Sequence, residues 1–317
     1  MRVEGACDGS VVYGLEDVAP ASSVVTIGKF DGVHRGHQVL VRRAVHAASE
    51  LGIRSVAVTF DPHPAAVVRP GSEPHALQTL DERVTLLMGN GVDLVVVLPF
   101  TAGLAESTPQ DFVRQVLVER LQASRVVIGA DFRFGRRASG DLVALAEEGE
   151  RFGFDTEATN LLDLDGAPIS SSSVRERLAS GDVDWVTRAL GRVHTLSGKV
   201  IRGEGRGSRL GIPTATLDVP DGLALPADGV YVGEAVVDGC SLRAVTNIGV
   251  RPTFDGEART VEVHLLDAEL DLHGRHPTVG LEQRIRRGRQ FEGIDQFVEQ
   301  ICADIKAARS TGDDCTG

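Results

Sequence analysis

Up to about residue 160, short apolar runs rich in β-branched residues alternate with stretches whose apolar positions recur every three or four residues. Val24–Ile27, Ser55–Phe60, Leu94–Leu98 and Arg125–Ile128 read as strands. Gly36–Leu51, Leu80–Met88 and a stretch from Pro109 to about Leu121 read as helices, the last with Thr108 as N-cap and Pro109 at its first position. Strand–helix–strand spacing of this kind predicts a parallel sheet covered by helices on both faces. Such sheets bind ligands at the carboxyl ends of their strands. The unusual polar residues fall there: Gly28–His37 after the first strand, Asp61-Pro62-His63-Pro64 after the second, Gly129–Gly135 after the fourth, and later Ser170–Arg175.

From about Val193 the pattern changes. Residues 193–202, 229–237, 241–249 and 259–266 read as strands separated by Gly-, Pro- and Asp-rich turns, with no long helix between them. An antiparallel barrel or sandwich follows. Asp182–Leu190 reads as a short linking helix. Ile294, Phe297, Val298, Ile301 and Ile305 mark an amphipathic helix near the end of the chain.

Length and composition narrow the function. The 317 residues suit two domains, and 42% apolar with 25% charged residues excludes a disordered chain. The net charge is −12, with an acidic excess in both parts, so a nucleic-acid binder is not expected and any anionic ligand needs a local site. Cys7, Cys240, Cys302 and Cys315 form no zinc spacing and no disulfide framework. The opening MRVEGACDGSVVYG has no cationic-then-apolar pattern, and no apolar run is long enough to cross a bilayer. A soluble, cytoplasmic protein with no membrane partner is the expectation.

His34 and His37 stand three apart at the start of a helix, behind a turn whose Gly28, Gly32 and Gly36 allow close backbone approach. A helix start offers free N–H groups and partial positive charge to phosphate, and imidazoles can donate to a phosphoryl group as charge builds on it. A glycine-rich turn with two surface histidines is the bland alternative. Metal ligation is the chemical one, although no third or fourth ligand lies at suitable spacing. Ser170-Ser171-Ser172-Ser173 and Arg175 could hold a polyphosphate, while Ser173-x-x-Glu176 also reads as an ordinary capping box. Phe132 and Phe134 fit a core as well as a stacking platform. In Gly198–Thr216 the glycines suggest a backbone cradle for phosphates, with the Thr214 hydroxyl as a Mg²⁺ ligand; a flexible hairpin tip is the alternative. Glu262 is a carboxylate between Val261 and Val263 in a strand.

Phe-Asp-Gly-Val-His-Arg-Gly-His resembles the signature of the nucleotidyltransferase superfamily. Together with Asp-Pro-His-Pro, Asp-Phe-Arg-Phe-Gly and Ser-Ser-Ser-Ser-Val-Arg, it resembles the FAD synthetase module of bacterial bifunctional riboflavin kinase/FAD synthetases. Residues 198–216, Asn247–Phe254 and Val261–Asp267 resemble the kinase module of the same family. The resemblance implies a Rossmann-like α/β nucleotidyltransferase domain over 1–186, a riboflavin kinase-like antiparallel β-barrel with a terminal helix over 187–310, and a disordered tail over 311–317. It implies phosphorylation of riboflavin to FMN and adenylylation of FMN to FAD. Its partners would be riboflavin, FMN, FAD and ATP as co-substrate, with Mg²⁺ as cofactor and weak self-association besides.

Residue by residue, the resemblance makes His34, His37, Arg175 and Glu262 catalytic, Glu262 as the base. It places Gly28, Phe30, Asp31, Gly36, Asp131, Ser170, Ser171, Ser172, Gly203, Gly207, Arg209 and Gly211 on ATP and its phosphates. Asn247, Arg251 and Arg286 would meet the flavin, and Thr214 and Thr216 the metal. Three positions depart from the family's usual residues: Ser172 stands for Thr, Thr216 for Asn and His273 for Tyr. A hydroxyl is a shorter metal ligand than an amide carbonyl. The alternative is therefore a chain that only adenylylates FMN, with a kinase module that is impaired at Thr216 or serves as a regulatory domain.

Overall fold

A computed structural model describes residues 10–202, 212–253, 256–268, 270–289 and 294–312. The chain divides into two compact units, Met1–Ser171 and Ser172–Gly317.

The first unit is a parallel sheet of strands β1 (Ser10–Tyr13), β2 (Ser23–Ile27), β3 (Arg54–Asp61), β4 (Leu94–Pro99), β5 (Ala123–Gly129) and β6 (Asp155–Thr159). Their spatial order is β1-β4-β3-β2-β5-β6. Helices α1 (Arg35–Leu51), α2 (Pro64–Val68), α3 (Leu80–Met88), α4 (Ala102–Glu106), α5 (Pro109–Phe112) and α6 (Leu142–Phe152) accompany it. α5 runs on through Val113–Arg120 with π-helical winding. Because every residue of β2 is buried, its alternate side chains feed two cores. Val25 and Ile27 join Val56, Val96 and Ile128 on one face, while Val24 packs with Ala44, Ala47 and Val127 on the other. The chain turns to one side of β2 for β3 and β4, then to the other for β5. The carboxyl ends of β2 and β5 therefore flank the crevice that opens where strand order reverses.

Most expected elements are present, and the terminal ones in the sheet are additions. β1 and β6 are edge strands with mixed or polar sequences, Ser-Val-Val-Tyr and Asp-Thr-Glu-Ala-Thr, so neither carries the apolar run of a buried strand. A small hairpin, β7 (Asp163–Leu164) with β8 (Ala167–Pro168), precedes Ile169.

The units divide after the first residue of α7 (Ser171–Ser180), and α8 (Val183–Leu190), the linking helix expected, follows with Asp182 as its N-cap. The capping box at Ser173 and Glu176 is not the start of α7. That helix begins two residues earlier, where Ile169 is buried with its N–H on Leu162 O at 2.7 Å and the Ser171 hydroxyl is bonded in turn. An antiparallel sheet follows: β9 (His194–Ser197), β10 (Lys199–Ile201), β11 (Ala215–Asp218), β12 (Gly229–Val237), β13 (Cys240–Thr253), β14 (Gly256–Leu265), β15 (Thr278–Leu281) and β16 (Gln283–Arg287). Its path runs β10-β11-β14-β13-β12-β15-β9, with β16 also on β12. The two ends of that path, β9 and β10, are halves of one stretch broken at Gly198, so the sheet curls into a half-barrel. A Cβ on Gly198 would collide with the Asp218 carbonyl, so glycine is needed for that approach. The inner face holds Val200, Leu217, Tyr231, Ile248, Val261 and Val263, all buried. Terminal helix α9 (Ile294–Gly312) sets Ala308 against Val230, Val232 and Val245 on the other face. Thr311 and Gly312 are thus helical; the rest of the expected tail lies outside the described residues.

Candidate active sites

After Ile27 the chain leaves β2 but stays tied to β3 through Gly28 N–H on Val58 O at 3.1 Å. It then makes a turn with three left-handed residues, Phe30 (φ 50°), Gly32 (φ 82°) and Val33 (φ 36°). The two that are not glycine each cost on the order of 1–3 kcal/mol, strain that persists only if neighbours enforce it. They do so from several sides. Thr59 Oγ1 donates to Lys29 O (3.1 Å), Gln78 Nε2 to Phe30 O (3.2 Å) and Ser171 Oγ to Asp31 O (2.8 Å). Leu77 N donates to Asp31 Oδ1 (2.8 Å) and Gln38 Nε2 to Val33 O (2.9 Å), while the Phe30 and Val33 side chains are fully buried.

The turn delivers His34 as the N-cap of α1. Its Nδ1 accepts from His37 N at 3.4 Å, which leaves Nε2 to carry the hydrogen in the neutral ring. The His34 and His37 rings stack with centroids 3.6 Å apart and a 20° tilt, and the Phe30 ring meets His37 edge-on at 5.3 Å. Burial, then the neighbouring His34, Lys29 and Arg83, hold the His37 pKa well below the usual imidazole value. His37 is therefore neutral at pH 7 and offers a hydrogen bond rather than a charge. Its Nδ1 is buried with no hydrogen-bond partner among the described residues. Gly36 completes the geometry, since a Cβ there would lie 3.1 Å from His34 Nδ1.

Asp131 follows β5 across the crevice, exposed, its Oδ1 folded over Gly129 where a Cβ would stand 2.9 Å away. Phe134 is buried against Phe112 and stacks on Phe132, so this Phe-x-Phe pair is core. His63 caps α2, its Nδ1 accepting from Ala65 N at 3.1 Å, the shaping role expected of Asp61–Pro64. Ser170 and Ser171 belong to the first unit, and Ser172 and Arg175 lie in α7 within the second.

Sequence reasoning missed Arg83. It sits among Leu80, Val84 and Leu87 on the apolar stripe of α3, buried, with Nη1 donating to Phe60 O (3.0 Å) and Thr59 Oγ1 (3.4 Å). Burial lowers its pKa, and the charges of Asp31 and Asp61 oppose that shift. A charge in a position that the 3.6-residue period reserves for an apolar residue was the available signal.

In the second unit the ladder assembles a different group. Glu262 of β14 pairs with Thr216 of β11 on one side and Asn247 of β13 on the other. Directly paired residues share a face, so these three side chains form one row on the outer side of the half-barrel. Thr216 is buried, Glu262 half-buried and Asn247 exposed. Val230 continues the row, with Arg286 beyond it. The Arg286 guanidinium is gripped by the buried Asp304 of α9, Nε to Oδ1 at 2.9 Å and Nη2 to Oδ2 at 2.8 Å. Thr214 is exposed just before β11. Arg251 lies in β13 opposite Ala258. Gly203, Gly207, Arg209 and Gly211 lie outside the described residues. His264, also overlooked in the sequence, places Nδ1 2.7 Å from Pro213 O.

Two family models match the chain, FAD synthetase over residues 17–173 and riboflavin kinase over 190–311. Curated bifunctional riboflavin kinase/FMN adenylyltransferases are similar along almost the whole length. That of Pseudomonas fluorescens is 38% identical over 95% of this chain and 97% of its own, and that of Escherichia coli K12 35% identical over 94% and 95%. A solved Streptococcus pneumoniae structure, described as a macrolide-efflux protein, has a TM-score of 0.86 at 31% identity and covers 94% of this chain and 98% of its own. No helix among the described residues is long and apolar enough to cross a membrane.

Proposed function

The chain belongs to the bifunctional riboflavin kinase/FMN adenylyltransferase family, and from that premise we propose how its residues divide the two reactions. It phosphorylates riboflavin to FMN and adenylylates FMN to FAD, with ATP as co-substrate of both steps. Nothing in the two models or the curated relatives favours a chain restricted to adenylylation.

Adenylyl transfer belongs to the first unit. An FMN phosphate oxygen forms a bond to the α-phosphorus of ATP as the bond to the β-phosphate oxygen breaks, and pyrophosphate leaves. Two anions meet, so catalysis is positioning and stabilisation of developing charge. The turn backbone at Gly28, Phe30, Asp31 and Gly36 faces the nucleotide, and neutral His37 and the Nε2–H of His34 donate to the α-phosphoryl oxygens. Ser170 and Ser171 bind the departing phosphates, and Asp131 orients the nucleotide from the far side of the crevice. One observation carries this assignment: a stacked imidazole pair at the carboxyl end of β2, one ring holding a buried nitrogen with no hydrogen-bond partner among the described residues.

Phosphorylation belongs to the half-barrel. Glu262 accepts the proton of the riboflavin 5′-hydroxyl as that oxygen attacks the γ-phosphorus of ATP, the bond to the β-phosphate oxygen breaks and ADP leaves; Asn247, Arg251 and Arg286 line the flavin side. Gly203, Gly207, Arg209 and Gly211 approach the phosphates. The neighbouring oxygens of Thr216 and Glu262, with Thr214 alongside, are the hard donors that Mg²⁺ takes, so the residues fit that ion. Bound there, it would neutralise charge on the polyphosphate. The working division is 1–186 for adenylyl transfer and 187–310 for phosphorylation. The exposed free thiols of Cys240 and Cys302 suit the reducing cytoplasm. Incubating the pure chain with riboflavin and MgATP should give FMN and then FAD on a flavin chromatogram; FMN supplied with ATP but yielding no FAD overturns the roles given to the first unit.

A further inference from the structure

The rungs of β11 on β14 are Ala215–Val263, Thr216–Glu262 and Leu217–Val261. One rung further out, Thr214 would face His264, but β11 stops short of it. Just upstream stands Pro213, which has no N–H to donate to a ladder. A side chain takes over at that point, with His264 Nδ1 2.7 Å from the Pro213 carbonyl oxygen. A carbonyl oxygen only accepts, so Nδ1 carries the hydrogen and the ring's tautomer is set. Glu262 and His264 alternate with buried Val261, Val263 and Leu265, so the imidazole is on the same face as the carboxylate. Pro213 and Thr214 are exposed, and packing does little to fix them.

We propose that His264 is a positioning residue of the phosphorylation site: its Nδ1–H bond to Pro213 extends the β11–β14 register by one rung and keeps the Thr214 and Thr216 hydroxyls in place beside Glu262. This rests on the roles given above to Glu262, Thr214 and Thr216. The imidazole is a bracket that holds the strand bearing the metal-facing oxygens against the strand bearing the base, and it touches no substrate itself.

Three full-length variants and one measurement test it. Asn can put an amide N–H where Nδ1 sits, whereas Gln reaches to the Nε2 position. His264→Gln should lower kcat for riboflavin phosphorylation about tenfold and raise KM for MgATP, the loss expected for one hydrogen bond. KM for riboflavin and the conversion of FMN to FAD should stay unchanged. His264→Asn should recover most of the loss. Wild-type kinetics in the Gln variant, or equal impairment in both, overturns the proposal. Glu262→Gln is assayed beside them: if it still phosphorylates riboflavin, the base assignment falls, and the Asn–Gln contrast still decides on His264. Nitrogen-15 spectra of the wild-type imidazole should show the Nδ1–H tautomer, and an Nε2–H tautomer would also overturn the proposal.

Discussion

The two chemical centres are built by opposite means. In the first unit, six of the nine candidate residues come from one ten-residue segment, Gly28–His37, bent through left-handed conformations and clamped from outside by Thr59, Leu77, Gln78 and Ser171. In the half-barrel the described candidates of the strands come from distant parts of the sequence. Thr216, Glu262 and Asn247 are neighbours because antiparallel register places them on one row. The first centre is held by strain and burial, the second by a ladder. Local damage should therefore be abrupt in one and graded in the other, and each activity should fail without the other.

The sharpest break of that comparison is replacement of both His34 and His37 by Ala. Conversion of FMN to FAD should fall by about a thousandfold or more, the range lost with groups that stabilise transition-state charge, while riboflavin phosphorylation persists. Chromatography of flavins from each half-reaction measures both, and loss of the two together would show that the centres are not independent. Glu262→Gln is the mirror experiment, with FMN formation down by about a hundredfold or more and FMN adenylylation intact.

A third difference concerns acid. His194 in the half-barrel is buried, and desolvation, aided by Arg192, brings its pKa down to about 4 against a backbone hydrogen bond that raises it. The unfolded chain takes up this proton near pH 6.5 and the folded chain only near 4. The neutral ring's contribution to stability is therefore complete above pH 6.5 and shrinks as pH falls towards 4, by about 3 kcal/mol in all. Denaturant titration of the kinase activity at pH 7 and pH 5 should show the loss, and His194→Gln should flatten it. A pH-independent midpoint would sink this account.

The smallest effect separates rigidity from activity. Gly36→Ala adds a methyl group 3.1 Å from His34 Nδ1. In the first turn of α1, Ala should stabilise the helix by about 0.5–1 kcal/mol relative to Gly. Displacement of the imidazole should still cost about tenfold in FMN adenylylation. A higher melting temperature with unchanged turnover would show that the turn tolerates the shift.

The difference between the centres also explains what was legible. Gly28–His37 could be read because its residues are contiguous and their chemistry is visible in one line, next to a run of buried β-branched residues. The Thr216–Glu262–Asn247 row could not be derived from pattern, because register is a property of paired strands and a slip of one residue reverses every face. Only the family resemblance brought those residues together. Arg83 and His264 escaped because each fills an ordinary slot, one on a helix stripe and one on an alternating strand. The edge strands β1 and β6 escaped because they are not apolar enough to stand out. Arg286, whose guanidinium is held by Asp304, was likewise placed by the resemblance and not by any pattern in the strand.

The capping of α1 by His34 sets a trap for anyone hardening this protein against heat. Asp at that position would cap the helix better than imidazole does across 3.4 Å, by about 1 kcal/mol. A screen that rewards thermal endurance alone would be drawn to His34→Asp early and return sturdy molecules that no longer make a dinucleotide. Selection for durability has to be run with turnover as a second gate, or this residue withheld from the library.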